Sequence, residues 1–219
     1  MKTRPLILVS LSVAAAMIGF AFLTAGRLPA DAVLPVHWNA AGQADRFSPA
    51  LPALLMPAGV VLLATLIFAA IPRIEPLQQR LEASSAVLRA SWLGLLGVML
   101  VIEAAIGLAV WGIALPVKAI MLAMGLMLVW VGNVLPKSRP GFFVGIRTPW
   151  TLTDTDNWIA THRLGGKLMM AAGAAIAVAS LLPIPPETTA IVVLVAVAIG
   201  AGVPLVYSWW YWNRRKRQA

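Results

Sequence analysis

The sequence contains no cysteine, and only 11% of its residues are charged. The absence of cysteine excludes disulfide bonds, thiolate nucleophiles and cysteine-ligated metal sites. Soluble domains carry about 25% charged residues, so this scarcity of charge excludes a soluble globular protein. With 60% hydrophobic residues and a mean hydropathy of +0.86, the chain of 219 residues has the composition of an integral membrane protein.

Residues that carry catalysis or bind metals are also scarce. The two histidines, His37 and His162, fall on opposite sides of the predicted membrane topology and cannot share a metal ion. The sequence has no H-E-x-x-H or G-x-S-x-G motif, and the acidic run 154–157 lacks the glycine and the closing glutamate of a calcium loop. We therefore expect no catalytic residue, metal or cofactor, and we predict that the protein is not an enzyme.

Long apolar runs are abundant, and they do not alternate as the strands of a membrane β-barrel do. A helix needs about 20 mainly apolar residues to cross a bilayer. The pattern predicts an all-α membrane protein with about six transmembrane helices, near residues 6–24, 51–71, 91–115, 117–135, 168–182 and 189–212. The first run is longer than the core of a usual signal peptide, so we expect it to be retained as a span.

Basic residues are unevenly distributed between the two sides of such a bundle. Six spans place about fourteen of the seventeen Lys and Arg residues on one side and about three on the other. The larger set is Lys2, Arg4, Arg73, Arg80, Arg89, Lys137, Arg139, Arg147, Arg163, Lys167, Arg214, Arg215, Lys216 and Arg217. Because basic residues concentrate in cytoplasmic loops, both termini are predicted to be cytoplasmic. The terminal cluster 214–217 is expected to contact anionic lipid.

The chain divides at Pro116 into two predicted regions of three spans each. Residues 1–115 contain an extracytoplasmic loop, 27–50, and residues 116–219 contain a cytoplasmic loop, 136–167. From Glu75 onward, the connection 72–90 has the mixed charges of a short surface helix. We expect that helix to be solvated and to form no site.

The cytoplasmic loop 136–167 is polar and much longer than a turn requires. Such loops often carry function, although an interfacial anchor with Trp at the lipid headgroups is an alternative. Thr153 and Asp156 have the spacing of a capping box, which predicts a short surface helix ending at Gly165 and Gly166. The candidate site residues are Arg147, Thr148, Pro149, Trp150, Trp158, Thr161, His162 and Arg163.

The extracytoplasmic loop is the second candidate site, and Asn39 and Gly42 favour a tight turn within it. Its candidate residues are His37, Trp38, Asn39, Gly42 and Asp45.

Glu103 is the one acid within a predicted span, near the middle of the third. Such residues usually face the bundle interior or a water-filled cavity. A structural carboxyl that is hydrogen-bonded to a neighbouring helix is the favoured interpretation. The alternative function is a small membrane transporter or channel that uses Glu103.

Several segments together resemble the signature of SdpI-type membrane proteins. In the C-terminal half they are Asn133-x-Leu135-Pro136-Lys137, Phe143-x-Gly145-Ile146-Arg147-Thr148-Pro149-Trp150-Thr151-Leu152, Trp158 and Thr161-His162-Arg163-x-Gly165-Gly166-Lys167. Near the N-terminus, Pro35-Val36-His37-Trp38-Asn39-x-x-Gly42-x-x-Asp45 resembles an uncharacterised domain of the same proteins.

This resemblance implies a multi-pass protein of the bacterial plasma (inner) membrane that acts in immunity and signal transduction. The name-giving member of the family protects its cell from a secreted toxic peptide and captures a small autorepressor at the membrane. Besides the lipid bilayer, the implied partners are a secreted toxic peptide outside and a small transcriptional repressor inside, without direct contact with nucleic acid. The outer loop would sense or neutralise the peptide, and the inner loop would be an output surface or a structural clasp.

The predicted topology can be tested because the chain has no cysteine of its own. A membrane-impermeant maleimide should label a Gln43→Cys variant in intact cells. The same reagent should label Arg217→Cys only after the membrane is permeabilised. Labelling of Arg217→Cys in intact cells would reverse the predicted orientation.

Overall fold

The computed structural model of the protein describes residues 3–217, apart from the side chains of Gln78 and Gln79. Lys2, which was counted among the cytoplasmic basic residues, lies outside the described residues. Within the described part, six helical segments are long and apolar enough to cross a membrane. They are Arg4–Ala25, Ala50–Ile74, Arg80–Trp111, Lys118–Lys137, Thr155–Leu181 and Pro186–Lys216. The predicted all-α multi-span fold is confirmed.

The helices are labelled in chain order. They are α1 (Arg4–Ala25), α2 (Ala50–Ile74), α3 (Gln78–Gly107), α4 (Lys118–Val134), α5 (Pro149–Thr153), α6 (Thr155–Leu181), α7 (Pro186–Val197) and α8 (Val203–Lys216). Short 3₁₀ turns over Leu108–Trp111 and Leu135–Lys137 follow α3 and α4, and a π-helical turn over Ala198–Gly202 joins α7 to α8. Successive spans pack together, with α6 in contact with α4, α7 and α8.

A two-stranded antiparallel hairpin, which the sequence analysis did not predict, fills the loop between α1 and α2. Strand β1 covers Val33–Trp38 and β2 covers Ala44–Pro49. Asn39 and Gly42 form the turn between them, as predicted. The Gly42 N–H donates to the Asn39 carbonyl at 2.9 Å, and the Gly42 φ of 73° lies in the left-handed region that glycine tolerates.

The backbones of α4 and α6 touch at two pairs of glycines. A Cβ on Gly125 would lie 2.7 Å from the Gly173 carbonyl oxygen, and one on Gly132 would lie 2.8 Å from the Gly166 carbonyl oxygen. The pairing runs in opposite directions along the two helices, so α4 and α6 are antiparallel. Small residues allow this approach, which is a main source of helix association where the surrounding lipid is itself apolar.

The same contact corrects the predicted extent of the cytoplasmic loop. Helix α6 begins at Thr155 and continues through Gly165 and Gly166 to Leu181. Gly166 packs against Gly132, and a Cβ on Gly165 would lie 2.5 Å from Ile146 Cδ1. These glycines therefore serve packing rather than helix termination, and the predicted surface helix is the first part of the fifth span.

In the N-terminal half, buried polar and aromatic contacts hold α1, α2 and α3 together. The Trp92 indole N–H of α3 donates to Ser10 Oγ of α1 at 2.8 Å. The Trp92 ring stacks on Phe68 of α2 with centroids 5.5 Å apart. Toward the opposite end, a Cβ on Gly107 would lie 2.5 Å from Phe20 Cε1, so α1 and α3 also approach closely there.

The glycine contacts predict a position-specific loss of stability. In Gly173→Ala, the new Cβ would lie 2.5 Å from the Gly125 carbonyl oxygen and 2.7 Å from Val129 N, both in the backbone. We expect overpacking to lower the free energy of unfolding by about 1–3 kcal/mol. The matched control is Gly19→Ala in α1, where nothing lies within 4 Å of the added Cβ. Thermal unfolding in detergent measures both, and equal melting temperatures would contradict the packing role.

Candidate functional site

Glu75, the residue that follows α2, holds the loop 138–148 that leads to α5. Its Oε2 accepts hydrogen bonds from the backbone N–H groups of Phe142 and Phe143 at 3.0 and 3.2 Å. Its Oε1 accepts from the Leu77 N–H at 3.2 Å. Glu75 is only 2% exposed, and hydrogen bonds to an ionised acceptor are about twice as strong as neutral ones. Glu75 therefore ties the end of α2 to the loop before α5.

His162 holds the same loop from the other side. Its Nε2 accepts a hydrogen bond from the Ile146 N–H at 2.8 Å, and its Nδ1 lies 2.7 Å from the Trp158 carbonyl oxygen. A carbonyl oxygen can only accept, so this network assigns the ring proton to Nδ1 and makes the imidazole neutral. The buried ring has both nitrogens in use and none left for a metal or for acid–base chemistry.

Trp158 completes this arrangement by stacking on the His162 ring, with centroids 4.0 Å apart and an interplanar angle of 15°. The Trp158 indole N–H donates to Ser138 Oγ at 3.2 Å. The backbone at Gly145 passes the edges of the Trp158 and His162 rings with φ at 124°. A Cβ there would lie 2.5 Å from His162 Nε2. Only glycine fits this position. We call Glu75, Ser138, Gly145, Trp158 and His162 the clasp.

Two caps start the helices after the clasp. At the start of α5, the Thr151 N–H donates to Thr148 Oγ1 at 3.2 Å and the Thr148 N–H donates to Thr151 Oγ1 at 2.9 Å, which forms a capping box. Asp154 caps α6 by accepting from the N–H groups of Asp156 and Asn157. The predicted cap at Thr153 is wrong by one residue, because its hydroxyl donates to the Pro149 carbonyl within α5.

Helix α8 is fastened to the same end of α6. The Asn157 side-chain amide donates to the Ser208 carbonyl at 2.9 Å, and its oxygen accepts from the Thr161 hydroxyl at 2.9 Å. On the surface, Arg215 Nη1 lies 2.8 Å from Asp156 Oδ2 and 3.3 Å from Asp154 Oδ2. The last span therefore stabilises the helix that carries the clasp.

The eight residues predicted in the cytoplasmic loop lie at this one end of the bundle, but they divide between its interior and its surface. Four are buried: Thr148, Trp158, Thr161 and His162. Arg147, Pro149 and Arg163 are exposed, and Trp150 is half-buried, 6.4 Å from the Trp212 ring. The loop also exposes Phe142 and Phe143, and Arg147 Nη1 donates to the Phe142 carbonyl. We call Phe142, Phe143 and Arg147 the rim.

The predicted site residues did not include three members of the clasp, Glu75, Ser138 and Gly145, although Gly145 lies in the motif that carries the family resemblance. The prediction that 72–90 forms a short solvated helix is wrong, because α3 begins at Gln78, buries Leu81 and continues into the membrane span. Within that segment Ser84 is buried as well, and its Oγ accepts from the Arg139 N–H at 2.9 Å. One sequence signal was available for Glu75: it is an acid just past the end of a long apolar run, two residues after Arg73 and directly before Pro76.

The residues predicted in the extracytoplasmic loop lie on the hairpin at the other end of α2. His37 Nδ1 and Asp45 Oδ1 are 2.6 Å apart across the strands, with side chains 53% and 43% exposed. Asn39 Oδ1 accepts from two turn N–H groups, those of Ala41 and Gln43, at 3.0 Å each. Trp38 is half-buried against the core between α1 and α2. His37 and Asp45 are therefore the members of this set that a ligand can reach.

Glu103 lies one helical turn before the end of α3 at Gly107, within the span Arg80–Trp111. It is 3% exposed, yet its Oε1 has no hydrogen-bond partner among the described residues. The expected bond from this oxygen to a neighbouring helix is absent there. The carboxyl lies instead in the wall of a cavity of about 250 Å³ between α1 and α3.

The clasp geometry predicts a difference between neighbouring residues of α6. In His162→Ala, the Ile146 N–H loses its acceptor and Trp158 loses its stacking partner. We expect a loss of about 3 kcal/mol in the free energy of unfolding, from an unsatisfied buried group and a cavity. Arg163→Ala removes an exposed side chain from the next position and should change stability little. Thermal unfolding of the two variants measures this difference. Equal melting temperatures would show that His162 has no structural role.

Comparison with known proteins matches two parts of the chain. Residues 137–208 match the family model of the SdpI/YfhL protein family. Residues 13–62 match a domain of unknown function, DUF1648. The first match contains Ser138, Gly145, Trp158 and His162 of the clasp, and the second contains the hairpin. Glu75 and Glu103 lie outside both matched ranges.

A curated relative carries the same family name as the first of these matches. Immunity protein SdpI of Bacillus subtilis (strain 168) is 36% identical over 59 residues, which are 27% of this chain and 28% of that protein. The similarity thus covers less than a third of the relative's length. No solved structure matches the chain. The six apolar helices identify the chain as a multi-pass membrane protein, and its residues 137–208 are similar to the SdpI/YfhL protein family.

Proposed function

We propose that this chain is a non-enzymatic immunity protein of the bacterial plasma membrane, with both termini in the cytoplasm. It would protect the cell against a secreted toxic peptide and relay the presence of that peptide to a small transcriptional repressor. The observation that carries this proposal is the family match over residues 137–208. The relative named as an immunity protein supports the same assignment.

The hairpin is the surface proposed to meet the peptide. Its exposed His37 and Asp45 offer a hydrogen-bonding pair, and Arg46 adds a positive charge beside them. Val33 and Phe47 are 57% and 55% exposed. Exposed apolar groups next to polar ones suit a partner that is itself amphipathic, as a membrane-active peptide is.

The rim is the surface proposed to meet the repressor. Phe142 is 52% exposed and Phe143 is 36% exposed. Aromatic side chains and arginine are the residue types enriched at the energetic centres of protein interfaces. The buried residues behind the rim would then set its shape without touching the partner. We infer that the inner loop has both roles that the sequence left open, with a clasp inside and an output surface outside.

Helix α2 provides a physical connection between the two surfaces. It begins at Ala50, directly after the hairpin, and ends at Ile74, directly before Glu75. Glu75 in turn holds the N–H groups of Phe142 and Phe143. A signal would require two arrangements of α2 with different affinities for the outside ligand.

Transport is the second candidate, and the cavity beside Glu103 favours it over a purely structural carboxyl. In liposomes, Glu103→Gln would abolish a proton-dependent flux if this residue carried it. A flux that is equal in the wild type and the variant would exclude Glu103 from any transport path.

Immunity can be tested in a sensitive bacterium that expresses this chain and is challenged with a panel of secreted toxic peptides. We expect survival of wild-type cells, and at least a tenfold lower survival with the paired change His37→Ala and Asp45→Asn. The matched control is Asp31→Asn, an exposed acid on the same side but outside the strands. Absence of protection by the wild type, when it is present in the membrane, would refute the proposed immunity.

The rim is tested in the same strain through capture of a fluorescently tagged repressor at the membrane. Phe142→Ser with Phe143→Ser should abolish capture while protection persists. The control is Leu152→Ser, which changes an exposed apolar residue in the neighbouring α5. If the rim variant captures the repressor as well as the wild type, the rim is not the output surface.

A further inference from the structure

Glu103 stands apart from the clasp and the hairpin as a buried acid that forms no ion pair with the described residues. It is 3% exposed, and its Oε1 has no hydrogen-bond partner there. A carboxylate placed in apolar surroundings without a partner is energetically costly. Stable packing around such a group calls for a compensating donor that the described part of the chain does not supply.

The space next to this carboxyl is large enough for a ligand. The cavity has a volume of about 250 Å³ and, apart from Glu103, an apolar lining from α1 and from α3 with the turn that follows it. The lining residues are Ala16, Met17, Phe20, Leu100, Ala104 and Leu108. Phe20 is fixed at one wall, because a Cβ on Gly107 would already lie 2.5 Å from its ring.

The cavity faces the lipid rather than the centre of the bundle. Ala16 is exposed, and Leu100 is 42% exposed, although Met17 behind them is fully buried. These exposed residues lie along helices α1 and α3, within two segments that can span the membrane. A molecule dissolved in the bilayer can therefore reach the cavity from the side.

From this geometry we infer that the cavity binds an apolar molecule with a primary ammonium group, which it takes up from the bilayer. The ammonium supplies the hydrogen-bond donors and the cationic partner that the Glu103 carboxylate lacks. Charge-assisted hydrogen bonds are stronger than bonds between neutral groups. The alkyl part of the ligand fills the apolar walls. A neutral alcohol would supply one donor but leave the charge unbalanced. This site is distinct from the hairpin and the rim, so it does not depend on the proposed immunity.

The test uses the full chain in lipid nanodiscs with n-octylammonium and n-octanol, which have the same alkyl chain and differ in charge. Binding is followed by native mass spectrometry and by the shift in melting temperature. We expect the wild type to bind n-octylammonium at least tenfold more tightly than n-octanol. Glu103→Gln, which keeps the shape of the side chain, should remove that preference. Ala16→Leu, which fills the cavity, should weaken binding of both compounds.

The matched control is Glu187→Gln, which neutralises an exposed acid in the first turn of α7 and should bind as the wild type does. Equal affinities of the wild type for the two compounds would overturn the inference, as would an unchanged preference in Glu103→Gln. The melting temperature without ligand shows whether each variant is folded. If Glu103→Gln does not fold, Glu103→Met provides a second uncharged side chain of similar length for the same comparison.

Discussion

The backbone N–H groups of the loop 138–148 need acceptors where the chain leaves the membrane, and the rest of this end of the molecule is arranged to supply them. An unsatisfied N–H in a buried setting costs about 1–3 kcal/mol. Glu75 accepts from Phe142 and Phe143, and His162 accepts from Ile146. The two acceptors come from opposite halves of the chain, so one loop joins the N-terminal helices to the C-terminal ones.

The position of His162 depends in turn on the close approach of α4 and α6. Gly132 and Gly166 bring the two backbones together one turn beyond His162. Bulkier residues at these positions would push α6 outward and carry the imidazole away from Ile146. Helix α8 adds a second constraint through Asn157, which donates to the Ser208 carbonyl. The clasp is thus the product of helix packing, and its side chains are nearly inaccessible to any partner.

The sequence predicted the six spans because twenty-residue apolar runs allow little else, and it predicted the turn at Asn39 and Gly42 from local chemistry. It failed where the deciding partner is remote. Glu75 resembles a solvated acid until its acceptor role toward Phe142, 67 residues away, is known. Gly165 and Gly166 resemble a helix end, since only packing against α4 makes them interior. The hairpin was missed because its strands are short, and because Pro35 interrupts β1 and Pro49 ends β2.

Helix α2 has a mechanical property that follows from its two ends. Its 25 residues make a rod about 38 Å long, attached to the hairpin at one end and to the carboxylate of Glu75 at the other. Rocking this rod by about 3° around its outer end would move the inner end by about 2 Å, given that length. Hydrogen bonds of 3.0 and 3.2 Å do not survive such a displacement. Phe142 and Phe143, whose backbone N–H groups Glu75 holds, would then be released together, so a small tilt of α2 at the hairpin would free the loop at its other end.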